Sequence, residues 1–401
     1  MATSGIGASD IITATVGGAT HGLTLLWALV LGAFFKFVLS EGLARFQLAT
    51  GLTALEGWSR YLPRWVMGLF AVYLALWAVA VSGALVSGCG LAIENISGGA
   101  VPRTWGGFAQ AVAAFMVIWM AHAGILTRVM KPLVVVMFAS IVVCAALTFR
   151  EPVAVLHGLF VPEIPRGGGT YVLSLIGGIG GSLTLLSYNY LLRDEGKVDP
   201  RNLRAVRLDL ATAYLFTAIF GISVMLISNR VFYAAGVVIT DREAVSRMAG
   251  ALATLTGPVG FYIYSLGFWA AVLASLFGVW QTIPTVFADC LCLLRRVPPD
   301  LRQVAILPAS RFYRGALLFM ALASVPFAFL GSPLVIVITF TVLGSVFIPF
   351  LAGTLLYLNN RITLTGLLHH NRLTTNIVLV LILVLFAIVG MIEIKELLNR
   401  L

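Results

Sequence analysis

Gly5-Ile6-Gly7-Ala8-Ser9 returns almost unchanged as Gly178-Ile179-Gly180-Gly181-Ser182. Both copies lie inside apolar stretches, and each opens one half of the chain. Glycine costs about 1 kcal/mol against alanine in a helix interior, so each copy predicts a helix interrupted at membrane depth. Glycine is also common in membrane helices, and a chain with 40 glycines produces short coincidences. Position separates the two readings. Interruptions at corresponding places in two halves point to a binding site built from broken helices.

The composition agrees. The 401 residues are 60% hydrophobic and only 10% charged, with a mean hydropathy of +1.00. A soluble domain carries about 25% charged residues, so the whole chain is read as a polytopic membrane protein. The net charge of +10 does not point to nucleic acid, because the basic residues fall in short loops, where they set topology. Cys89, Cys144, Cys290 and Cys292 lie in or near apolar segments, without metal-ligand spacing to His, and are expected reduced and buried. Residues 1–22 contain no Lys or Arg, so no cleavable signal peptide is expected. No GxxxxGK[ST] loop is present, so an ATP-driven pump would need a partner chain; a secondary transporter or a channel is expected, and not an enzyme.

A crossing needs about 20 apolar residues. Eleven spans are predicted, near 5–21, 23–46, 64–88, 105–122, 130–148, 170–192, 208–228, 258–290, 313–330, 333–357 and 374–394. Only six residues precede Gly7, too few for a half-helix before the break, so an upstream extension or a shortened first helix is expected. With the N-terminus cytoplasmic, Lys and Arg divide 17 inside to 8 outside, as the positive-inside rule requires. The C-terminus is then extracytoplasmic. The two longest polar inner loops, Arg193–Asp209 and Arg295–Arg314, are read as solvated topogenic loops.

Ionisable groups inside spans are expensive and often functional. Asp10 follows the first break; Ser9-Asp10 can cap the second half-helix, which is compatible with binding a cation. Lys36 lies inside the second span, five residues before Glu41, where it would snorkel or pair with an acid. Asp209 and Asp289 stand near the inner interface and are read as capping or loop-pairing groups. His21 ends the first span, as an interfacial residue or a proton relay. The second break is polar but uncharged: Ser182, Thr184, Ser187, Tyr188, Asn189 and Tyr190. On one continuous helix Gly181, Thr184 and Tyr188 would share a face. Hydroxyls and freed carbonyls are hard oxygen ligands suited to Mg²⁺, Mn²⁺ or Ca²⁺. The same hydroxyls would also serve simply to satisfy backbone groups at a helix break, and both readings stay open.

Gly22-Leu23-Thr24-Leu25-Leu26-Trp27, then Ala44-Arg45 and Ala49-Thr50-Gly51, with Pro349-Phe350 late in the chain, resemble the NRAMP family of divalent-metal transporters. The resemblance covers nearly the whole chain. It implies an all-α LeuT-type fold: two inverted five-helix repeats, about 1–150 and 170–357, with an outer connecting loop over 151–169 and one extra helix and tail over 358–401. It also locates departures. Anchored on Gly22 and Trp27, the family's Asp-Pro-Gly-Asn falls on Gly7-Ala8-Ser9-Asp10, so the metal-binding Asp becomes Gly7 and the Asn becomes Asp10. The family's Met-Pro-His falls on Thr184-Leu185-Leu186. Its carbonyl ligands, three residues before the Asp and the Met, fall on Ser4 and Gly181. The third span has no acid between Val66 and Ile93, where the family carries acids that serve a proton route.

The expected function is secondary transport of a divalent cation such as Mg²⁺ or Mn²⁺, by alternating access around the two breaks and without obligatory proton coupling. Asp10 would supply charge. Thr184, Ser9 and the carbonyls of Gly7 and Gly181 would supply neutral oxygens. Ser182, Tyr188, Asn189, His21 and Lys36 are candidates for the substrate path. The alternatives are a carrier of a small organic or monovalent solute on the same fold, and a non-transporting scaffold or sensor. No cofactor is expected beyond the transported ion, the partner is the lipid bilayer, and the expected location is the bacterial inner membrane.

Overall fold

A hydrocarbon core offers no water to backbone N–H and C=O groups, so a chain this apolar must satisfy them within helices. The computed structural model describes residues 8–120, 123–196, 198–237, 244–329 and 333–398, and these form helices with no strand among them. The first half holds α1 (Ala8–His21), α2 (Leu26–Thr50), α3 (Ala54–Tyr61), α4 (Arg64–Ile96), α5 (Arg103–Met120) and α6 (Ala123–Thr148). A short α7 (Pro152–Phe160) leads to α8 (Gly169–Gly178) and α9 (Thr184–Asp194). Then come α10 (Leu203–Ser228), α11 (Ala244–Thr256), α12 (Pro258–Leu294), α13 (Pro299–Ala305), α14 (Arg311–Phe329), α15 (Pro333–Asn359), α16 (Ile362–His369) and α17 (Leu373–Leu398).

Within the described residues each predicted span coincides with helix, and the one over 170–192 is cut in two, as its glycines require. Among the described residues six helices are long and apolar enough to cross a membrane, or seven if α6 and α7, bent by 118°, count as one. The remaining crossings needed for a total of eleven rest on shorter pieces such as α1, with 14 residues, and α5, with 18. The short helices α3, α7, α11, α13 and α16 were not anticipated. Their lengths of 7 to 13 residues fall below a crossing. The first break lies outside the described residues, as do Ser4, Gly7 and the side chain of Ser9.

The helices form an inverted core. Leu69, Val72 and Leu76 of α4 point outward, at the spacing that places them on one lipid-facing stripe. Trp65 and Trp105 are exposed near helix ends, where indoles favour the membrane–water boundary. Polar and charged groups turn inward instead: Asp10, Lys36, Glu41, Arg45, Glu56 and Asp289 are all buried. α12 packs on α4 and α6, α10 on α1 and α2, and α15 on α4 and α8. α17 lies at the edge, with only 17% of its most apolar window buried. All four cysteines are free and buried.

Lipid gives no hydrophobic drive for helices to associate, so close backbone approach carries much of the packing. α4 and α5 cross on glycines. A Cβ added to Gly90 would stand 2.2 Å from the Arg103 carbonyl oxygen, and one on Gly107 would stand 2.6 Å from that of Val86. Gly107→Leu should therefore force the pair apart and cost about 1–3 kcal/mol. The expected result is a lower thermal midpoint for the detergent-purified protein. An unchanged midpoint would show that the crossing yields without cost.

Candidate functional site

The site begins where α8 stops. Ile179 leaves the helix at φ −58°, ψ 125°. Gly180 and Gly181 then take φ of +65° and +66°, a region closed to side chains at ordinary cost. Space forbids a side chain at the second position too, since a Cβ on Gly181 would meet Thr184 Oγ1 at 2.2 Å. The chain re-enters helix at Thr184. A helix ending here leaves its last carbonyls without intrahelical donors, and its C-terminal dipole makes the spot electronegative.

Three side chains answer that demand. Ser182 Oγ donates to the Gly177 carbonyl at 2.5 Å. Lys36 Nζ donates to the same carbonyl at 2.9 Å and to the carbonyl of Ile179. Asp10 answers from the opposite polarity, its Oδ1 accepting the Gly180 N–H at 2.8 Å. Asp10 and Lys36 are 1% and 0% exposed. The Asp10 carboxylate acts on the Lys36 charge across the break. Gly32 explains how the lysine gets there. It sits one turn before Lys36 on α2, and a Cβ on it would lie 2.9 Å from Ile176 Cα. The bare glycine thus lets the end of α8 press against α2, within reach of the ammonium.

Of the two readings of Lys36, snorkelling is ruled out by its burial, and the acid that acts on it is Asp10 and not the nearby Glu41. Glu41 instead binds Arg207 at 2.7 Å and Arg45 at 3.2 Å. Gly181 does not share a helical face with Thr184 and Tyr188, because it lies in the break, before α9. Thr184 is buried beside Gly181, at the start of α9. Tyr188 points elsewhere and donates to Asp209 at 3.1 Å. Asn189 is tied to Gln47 at 2.7 Å and accepts from the Ala54 N–H at 3.3 Å. His21 packs against Tyr171 with ring centres 5.2 Å apart, in the wall of a cavity of about 820 Å³ formed with Arg150, Glu151, His157 and Tyr233. Among the described residues no three His, Cys, Asp or Glu side chains gather as a metal cluster. A cation at the break would be held by one carboxylate, hydroxyls and carbonyls.

The loops assigned inside by their charge meet at the end of the bundle away from His21. There Glu56 receives Arg193 at 2.9 Å and also Arg302. Arg302 Nε reaches Asp289 at 3.1 Å, and Tyr190 donates to Asp289 at 2.6 Å. Arg45 donates to the His370 carbonyl and to Asn371 Oδ1, both at 2.8 Å. This network ties α3, α9, α12 and α13 together, so the two basic loops are structural partners and not only solvated topogenic segments. Glu56 was missed in the sequence, although Thr53-Ala54-Leu55-Glu56 has the spacing of a helix-starting capping box. The box forms, with Thr53 N–H donating to Glu56 Oε2 at 2.6 Å.

Comparison with known proteins places this geometry. Residues 1–395 match the family model described as "Natural resistance-associated macrophage protein-like". Among curated relatives, the divalent metal cation transporter MntH of Xanthomonas campestris pv. campestris is 26% identical over 324 residues, 74% of this chain and 69% of that protein. MntH of Mesorhizobium japonicum is 25% identical over 292 residues, 69% of this chain and 61% of that protein, so the match spans less than two thirds of its length. Among solved structures, a mutant of the Eremococcus coleocola manganese transporter superposes with a TM-score of 0.75 at 17% identity, covering 98% of this chain and 84% of that one. MhsT in complex with L-phenylalanine superposes with a TM-score of 0.63 at 15% identity, covering 98% and 96%. These likenesses establish the LeuT-type fold.

The end of the bundle tied by these ion pairs makes its own demand. Removing one partner of a buried ion pair costs about 3 kcal/mol or more, because the other charges stay buried. Glu56→Gln leaves Arg193 and Arg302 sharing what Asp289 can offer. We expect a lower thermal midpoint and faster thiol labelling of a Ser187→Cys reporter in a background without native cysteines. Labelling at the unsubstituted rate would mean that the network does not hold this end shut.

Proposed function

Because the chain belongs to the Natural resistance-associated macrophage protein-like family, we propose that it is a secondary transporter of a divalent cation, Mg²⁺ or Mn²⁺, working by alternating access around two broken helices. The observation that supports this most directly is the Asp10 carboxylate seated on the Gly180 N–H. It joins the one acid of the first helix to the break in the second half. Thr184 and the carbonyls of Gly181 and Gly7, with Ser9, complete a set of hard oxygens. Such a set suits a partly hydrated Mg²⁺, which sheds water reluctantly, or Mn²⁺. The two halves, 1–150 and 170–357, act as repeats that rock about this point, with α17 outside them. The protein resides in the bacterial inner membrane, with its N-terminus inside and its C-terminus outside.

A second reading is favoured by Lys36. An ammonium fixed beside one carboxylate makes the empty site neutral overall, which would suit a small organic solute that brings its own charge pair. Uptake by purified protein in liposomes separates the two. Saturable Mn²⁺ or Mg²⁺ uptake supports the first, and its absence together with solute uptake supports the second. Under the first reading Asp10→Ala should abolish saturable metal uptake while the protein still folds. Thr184→Met should shift preference toward Cd²⁺, since a thioether replaces a hard oxygen. Metal uptake that survives Asp10→Ala unchanged would remove Asp10 from the site.

Proton relays need titratable groups at membrane depth. The helix that follows Arg64 has no acid between Val66 and Ile93, and His21 lies in the cavity wall and not beside Asp10. Uptake should therefore run on the metal gradient and on the membrane potential, worth about 2.3 kcal/mol per charge per 100 mV. Internal acidification that scales with metal and persists under voltage clamp would overturn this.

Topology is tested in intact cells. Arg201→Cys should resist a membrane-impermeant thiol reagent, and Lys395→Cys should react with it. The reverse pattern would invert the orientation.

A further inference from the structure

We propose that Lys36 is a tethered cation: in the cargo-free carrier its ammonium fills the carbonyl seat at the break after α8, and cargo and lysine occupy that seat in turn. The proposal rests on the cation-transport reading above and adds a residue and a mechanism to it.

Four observations carry the argument. The seat consists of two backbone carbonyls, Gly177 and Ile179, both engaged by Nζ. They belong to the C-terminal end of α8, where unspent carbonyls and the helix dipole favour a positive charge. The ammonium is wholly buried, and its own helix is cut away at Gly32 to admit the end of α8. Of the 26 basic residues, it is the one that lies deep within a predicted span and away from a loop. An isolated ammonium at such a depth is costly; here the carbonyls and the Asp10 carboxylate offset that cost.

The consequence follows from charge. Without a lysine, the break would present one carboxylate and a row of carbonyls, an open cation site. With Lys36 in place the site is balanced before any cargo arrives. A divalent cation at the same carbonyls would meet the ammonium at contact distance, where like charges repel strongly, so the two cannot share the seat. Lysine suits this work because its charge is a point at the end of a flexible four-carbon stem. It can withdraw when cargo enters and return when cargo leaves. The returning lysine keeps Asp10 and the carbonyls satisfied in the empty carrier, which must reorient through the membrane.

The test uses purified full-length protein and Lys36→Met, which keeps an unbranched stem as far as Cε and removes the charged terminal nitrogen. Apparent affinity falls by the fraction of carriers whose seat is taken. Lys36→Met should thus bind Mn²⁺ about ten-fold tighter or more by calorimetric titration. In liposomes its net Mn²⁺ uptake should fall while Mn²⁺/Mn²⁺ exchange persists, because only the empty carrier has lost its cation. Methylammonium should raise the thermal midpoint of Lys36→Met and leave the unsubstituted protein unmoved, since a free cation then takes the vacant seat. If Lys36→Met does not yield a monodisperse protein, Lys36→Gln carries the same expectations. Unsubstituted protein that transports Mn²⁺, beside a variant with unchanged affinity and an unchanged ratio of net uptake to exchange, would overturn the tethered cation and leave the transport reading standing. Unsubstituted protein that transports neither Mn²⁺ nor Mg²⁺ would overturn the transport reading and the alternation with cargo. The methylammonium measurement would still decide whether the seat takes a cation.

Discussion

A helix that stops in hydrocarbon leaves carbonyls that no water can reach, and in this protein one lysine takes two of them. The consequences spread outward from Gly177 and Ile179. Lys36 can reach them only if α2 lies against the end of α8, which requires a glycine at residue 32. Asp10 can accept the Gly180 N–H only if the start of α1 meets the same break. Two consecutive helices of the first half and one from the second are thereby fixed to one point. α10 then packs on α1 and α2, and α15 packs on α8. The usual penalty for irregular backbone at membrane depth is thus converted into the contact that organises the bundle.

The same reasoning explains where the other charges go. Glu41, Glu56 and Asp289 are buried, and each meets at least one arginine. None could remain ionised alone at modest cost. Their partners Arg45, Arg193 and Arg207 stand near the ends of α2, α9 and α10, and Arg302 on the short α13, so the cluster sits at one end of the bundle and joins elements that would otherwise be free to part. The opposite end has no comparable cluster among the described residues. It holds instead the cavity of about 820 Å³ beside His21. Ion pairs of this kind break and reform as units, since a half-broken set leaves a charge unpaired. They therefore suit an end that must be either shut or open.

Much of the fold could be read directly from the chain. Apolar runs located the long helices, with ends displaced by up to eight residues, because burial in lipid imposes a length and excludes charge. The cut after Gly178 was legible because glycines with positive φ leave a mark in sequence. The site was less legible. Lys36 was singled out, but its partners are main-chain oxygens 141 and 143 residues away, and carbonyls carry no letter. Glu56 was overlooked because its arginines lie 137 and 246 residues distant. Local pattern records what a residue does to its own helix, as the Thr53–Glu56 box does. It does not record which distant loop folds back upon it. Gly181 was misplaced for a related reason: helical periodicity was carried through a segment whose backbone had left the helix.

The departures at the break bear on how one architecture can serve different cargoes. What the fold requires of this point is narrow. Carbonyls and N–H groups exposed by the break must find partners, and their charge must be balanced. It does not prescribe which groups do so. A hydroxyl such as Ser182, a carboxylate such as Asp10, an ammonium such as Lys36 or a bound ion can each meet part of the demand. Substitutions here exchange one satisfied arrangement for another and leave the surrounding helices in place. That is why superposition extends over 98% of the chain at 17% identity, while the donors at the centre differ from those the family resemblance implies. Fold and cargo are separable because the break constrains the number and polarity of its partners, and leaves their identity to the residues that line it.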